Sequence, residues 1–70
     1  MREYDYGKLL GRMRERGETQ ESLAKKVGIS ATSMNLSVNN KRDFRQDEML
    51  KVCEELEIPP REIGAYFFAQ

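Results

Sequence analysis

Residues 19–39 read TQESLAKKVGISATSMNLSVN, and this run decides the fold. Thr19 is an N-cap candidate, its hydroxyl able to accept from an orphan backbone N–H of a helix running from Gln20 to Val27. Leu23, Ala24 and Val27 recur on one helical face. Gly28 stops the helix where a left-handed residue is wanted. Ile29 fills the angle of the turn, and Ser30 caps a second helix from Ala31 to about Asn39. Met34 and Val38 form an i, i+4 apolar pair that packs this helix on the first, with Ser37 as a small neighbour. Ala24 is small where the two helices must approach closely. The pattern is helix, three-residue turn, helix. It leaves the opposite face of the second helix outside the core, and that helix's other positions, Ala31, Thr32, Ser33 and Asn35, are polar or small.

The sequence on either side is helical as well. Upstream, Tyr6, Leu9, Leu10 and Met13 predict a helix from about Tyr6 to Arg16, with Asp5 as its N-cap. Downstream, Asn39-Asn40 supplies a left-handed turn. Met49, Leu50, Val52, Cys53 and Leu56 predict a helix from Gln46 to Leu56, its N-terminus favoured by Asp47 and Glu48. A fifth helix starts near Pro60, with Ile63, Tyr66 and Phe67 as buried candidates. No repeat, low-complexity stretch or linker interrupts the chain. The expected fold is all-α: one domain over residues 1–70, a compact bundle of about five helices around a central helix-turn-helix.

Composition narrows the function classes. A 70-residue chain buries only about 60% of the surface it exposes when unfolded. It cannot wrap a deep substrate cavity and keep a core, but it can present a face to something larger. There is no histidine and a single cysteine, Cys53, which sits at helical spacing with Met49, Val52 and Leu56 and reads as a small buried hydrophobe. Intramolecular disulfides and conventional zinc sites are excluded, and no imidazole base, glycine-rich phosphate loop or catalytic Cys/His or Ser/His pair exists. Glu54, Glu55 and Glu57 read as the outer face of a helix. Catalysis, a cofactor and a small-molecule substrate are therefore not expected. Without a leader pattern or a long apolar run, a cytoplasmic location with no membrane partner is expected. Net charge is zero but polarised: residues 19–45 carry five basic and two acidic groups (+3), and residues 46–70 carry two basic and six acidic (−4). Such a molecule attracts phosphate on one face and repels it on another.

The run from Thr19 to Ser30 resembles the signature of the Cro/C1-type helix-turn-helix family, with a lambda-repressor-like fold. The rest of the chain resembles short phage and prophage Cro-like proteins. It does so through Tyr4-Asp5-Tyr6 with Lys8-Leu9, the run Asn39 to Arg42, Gln46-Asp47-Glu48, and the ending from Ile58-Pro59-Pro60 to Tyr66-Phe67-Phe68. The resemblance implies a sequence-specific duplex DNA-binding repressor whose third helix enters the major groove, about 12 Å wide. It implies base reading by Ala31, Thr32, Asn35 and Leu36, and phosphate contacts by Gln20, Ser30, Lys41, Arg42 and Arg45. It implies two copies on a two-fold site. Tyr66, Phe67 and Phe68 are too many aromatics to bury at the end of so small a domain, so they are candidates for a weak homodimer contact.

The chain also departs from that pattern. The third helix carries no Lys, Arg or Gln. Ser37 stands where relatives often have something larger or basic, Asn40 where many have glycine, and Arg45 where many have a capping Ser or Thr. The plain alternative for each polar residue is a solvated helix face, and for Leu36 a partly buried packing role. A second function class stays open: the same fold used as a protein-interaction module, such as an antitoxin or a regulator's partner. The neutral charge and a surface of Leu36 with the C-terminal aromatics favour it.

Overall fold

Local capping rules set the helix boundaries in the computed structural model, which describes residues 3–70. Five α-helices follow in order: α1 (Gly7–Glu15), α2 (Gln20–Val27), α3 (Ala31–Val38), α4 (Gln46–Leu56) and α5 (Ile63–Phe67). A 3-10 turn (Pro60–Glu62) precedes α5, so the proline pair opens a tighter coil than the expected helix start.

α2 begins with reciprocal caps. Thr19 Oγ1 accepts from the Ser22 N–H at 3.0 Å, and Ser22 Oγ accepts from the Thr19 N–H at 2.9 Å. It ends at Gly28, whose φ of +93° suits glycine. α3 begins with Ser30 Oγ accepting from the Ser33 N–H at 3.0 Å. α1 departs slightly from expectation. Tyr6, not Asp5, occupies the cap position and makes no side-chain cap. Asp5 Oδ1 instead accepts from the Gly7 N–H at 2.8 Å, closing the first turn from one residue further out. α4 is sealed from outside: Arg12 Nε, on α1, donates to the Leu56 carbonyl at 2.9 Å, and its Nη2 donates to that of Glu57 at 3.2 Å. Those are orphan acceptors at a helix C-terminus.

The apolar stripes converge on one core. Leu9, Leu23, Met34, Val52 and Leu56 are fully buried, each contributing about 1.5–3 kcal/mol of burial relative to an exposed position. α2 packs against both α3 and α4, while α5 closes the other end against α1 and α4. At that end Tyr6, Phe44 and Phe67 stack edge to face, with centroids 5.5 and 5.2 Å apart. Cys53 is buried, and desolvation raises its thiol pKa, consistent with a packing role. Among the described residues, no helix is long and apolar enough to cross a membrane.

Candidate functional site

α3 is anchored by one side and exposed on the other. Met34, Ser37 and Val38 are buried, whereas Ala31, Thr32, Asn35 and Leu36 face solvent. The 3.6-residue period produces this division, because positions 34, 37 and 38 share a face. The four exposed residues expected to work together therefore lie together. Gln20 joins them: Asn35 Nδ2 donates to Gln20 Oε1 at 3.2 Å, linking the start of α2 to the middle of α3. Ser30 lies beside them, its hydroxyl occupied by the cap and by Ser33 Oγ at 2.9 Å.

The cations expected around this face divide. Lys41 is exposed and forms no ion pair among the described residues. Arg45 is exposed, 3.8 Å from Asp47. Arg42 turns inward, away from the role expected of it. Its Nη1 and Nη2 donate to Glu48 Oε1 and Oε2 at 2.9 and 2.7 Å, and Nη1 also donates to Ser37 Oγ at 2.8 Å. Glu48 Oε1 additionally accepts from the Arg45 N–H at 3.0 Å. Glu48 is only 5% exposed. The Arg42 guanidinium holds its carboxyl below the ordinary carboxylate value, against the opposing effect of burial. Arg42 pKa rises for the reciprocal reason. Its charge is thus compensated inside the molecule. Ser37 faces the same network, which explains a small hydroxyl there in place of a larger or basic residue.

Two residues of this region were not singled out by the sequence as site residues. Glu48 stands at the third helical position after Arg45, the place of a capping-box acid, so a local signal was present. The side chain of Asn40 pairs with the main chain of Tyr4. Its Oδ1 accepts from the Tyr4 N–H and its Nδ2 donates to the Tyr4 carbonyl, both at 2.8 Å. That pairing spans 36 residues and has no local signature.

The aromatic ending is mostly core. Tyr66 and Phe67 are 8% and 1% exposed, so they leave the set of dimer candidates, whereas Phe68 is 47% exposed. α5 presents its first two aromatics inward against α1 and α4, and Lys8 covers the Tyr66 ring at 4.8 Å. Phe68 lies edge-on to Tyr4, with centroids 5.6 Å apart, and borders a shallow groove of about 390 Å³ shared with Leu50 and Ile63.

The solution structure of the modulator of repression of the temperate bacteriophage TP901-1 from Lactococcus lactis matches with a TM-score of 0.78. It is 40% identical in sequence, over 93% of this chain and 88% of that one. No curated protein sequence matches. A family model described as "Protein of unknown function (DUF739)" matches residues 2–70, and the chain belongs to that family.

Proposed function

We propose that this chain is a phage regulatory protein that acts by protein contact, docking the exposed face of α3 on a component of a repression system. The carrying observation is electrostatic. The exposed face of α3 offers Ala31, Thr32, Asn35 and Leu36 and no cation, and Arg42, the arginine nearest its exit, is engaged by Glu48 and Ser37. Non-specific affinity for duplex DNA comes from cations on phosphates, and this face has few to offer. A half-exposed Leu36 suits a protein surface better than a phosphate backbone. The similar phage protein is named a modulator of repression, which is a regulatory role and not a catalytic one.

A second reading, operator binding by a Cro/C1-type repressor, is favoured by one specific observation. The Gln20–Asn35 hydrogen bond presents two amides side by side, from the start of α2 and the middle of α3, and such amides are the groups that make bidentate adenine contacts. Under that reading Thr32 and Asn35 read bases, Gln20, Ser30, Lys41 and Arg45 hold phosphates, and Phe68 completes a weak homodimer on the site.

One pair of measurements separates the two. The chain is titrated against the repressor encoded by the same phage or prophage, and against duplexes selected from a random pool at low salt. Protein contact predicts a repressor complex of weak salt dependence that Leu36→Asp abolishes, with no selected duplex. Enrichment of a palindromic duplex with a steep salt slope, and no repressor complex, would overturn it.

A further inference from the structure

The end of α3 is closed by a specific backbone pattern. The Lys41 N–H donates to the Leu36 carbonyl at 2.8 Å and the Asn40 N–H to that of Ser37 at 3.2 Å, with Asn40 at φ +61°. These are the paired bonds of a left-handed helix cap, a motif that brings the side chains at the positions of Leu36 and Lys41 together. The neighbours of Lys41 are both tied down. Asn40 holds the Tyr4 main chain through two hydrogen bonds, and Arg42 is locked on Glu48. Phe44, a little further on, is buried in the core. Lys41 itself is exposed and forms no ion pair among the described residues. Leu36 is 37% exposed, one of three large hydrophobics at the surface among the described residues. A flexible lysine on a mobile loop loses backbone freedom on binding, but this backbone is already fixed.

We propose that Leu36 and Lys41 form one preorganised apolar–cationic docking point, and that it takes a protein surface on which an aliphatic side chain sits beside a carboxylate. This rests on the reading of α3 as a protein-docking face and specifies what that face recognises. Charge complementarity selects the occupant. A free ammonium seeks an anion, and the adjoining leucine gains only where that anion stands next to apolar surface. A phosphate backbone supplies the first condition without the second.

The test uses the full chain and a library of random displayed peptides, with bound sequences mapped by amide chemical shifts. Enriched peptides are expected to place Asp or Glu next to, or nearly next to, Leu, Ile or Val, with shifts centred on Leu36 and Lys41. Lys41→Glu and Leu36→Ala are each expected to weaken binding about tenfold, while Lys41→Arg keeps it. Asn40→Gly accepts the positive φ but removes the tie to Tyr4. It is expected to weaken binding about threefold, with helix content unchanged, because preorganisation alone is lost. Peptides that bind Lys41→Glu as well as the parent, or that shift only Thr32 and Asn35, overturn the docking point and leave α3 as the working face. Failure to enrich any peptide overturns the docking point too. If a duplex is bound instead, the protein-contact reading falls with it.

Discussion

The two ends of α3 are built in different ways. Its entry is local: Gly28 turns the chain, and Ser30 caps the helix three residues before Ser33. Its exit adds tertiary ties to a local backbone cap: Asn40 reaches Tyr4, 36 residues away, and Arg42 reaches Glu48 on the next helix. An entry of this kind forms whenever the helix forms. The exit's side-chain ties exist only when the N-terminal segment and α4 have docked. The prospective binding residues sit across both ends, so binding depends on tertiary assembly at one end and on helix chemistry at the other.

The sharpest way to break the comparison is at Glu48. Glu48→Ala leaves Arg42 without its acid and the Arg45 N–H without its acceptor, and a loss of about 3 kcal/mol in urea-derived stability is expected. A loss no larger than that of an entry-cap variant would show that the exit does not depend on distant partners.

Acid probes the same network. The Glu48 pKa is lowered on folding, chiefly by Arg42. Its contribution is therefore present above the unfolded-chain value and lost as pH falls through the folded one. Urea midpoints of the parent should drop as pH is lowered from neutrality into that range. Glu48→Gln should start lower and show a shallower drop. Parallel curves for the two proteins would remove Glu48 from the acid response.

At the entry, Ser30→Ala should cost about 1 kcal/mol, read by thermal melting, with the slope of the acid response unchanged. A larger loss, or a shift in the Asn40 and Tyr4 resonances, would mean the two ends are coupled after all.

The smallest effect is expected on the exposed face. Asn35→Ala removes an exposed hydrogen bond to Gln20 and should change stability by less than about 0.5 kcal/mol. If it melts like the parent while partner binding falls, the Gln20–Asn35 bridge serves recognition.

This contrast also explains what could be read from the sequence. The boundaries of α2 and the start of α3 follow from caps, and the extent of α4 from apolar spacing and its acidic first turn, which are short-range and leave their mark in neighbouring residues. The exposure of Ala31, Thr32 and Asn35 follows from the same periodicity, whereas Leu36 is placed with them only by the family resemblance. The fate of Arg42 does not. A basic residue after α3 reads alike whether it points to solvent or into a carboxylate, and only the packing of α4 decides. Spacing marks Tyr66 and Phe67 as buried, and they are; of the three aromatics offered as dimer candidates, spacing does not say which one stays at the surface. The count of aromatics was right, but the pocket between α1 and α4 that receives Tyr66 and Phe67 is a product of tertiary packing. Phe68, beyond the last turn, lies half-exposed against Tyr4.

The arginine that caps α4 from α1 bears on the order of folding. The Leu56 and Glu57 carbonyls are satisfied by Arg12, 44 and 45 residues away in sequence. Until α1 arrives, the last turn of α4 has open acceptors and frays into water. A fragment lacking α1 should therefore keep the helical signal of the first turns of α4 and lose protection of the amides nearest Leu56. In the intact chain those amides should exchange only when α1 detaches, which makes the far end of α4 a reporter of whether the N-terminal helix is home.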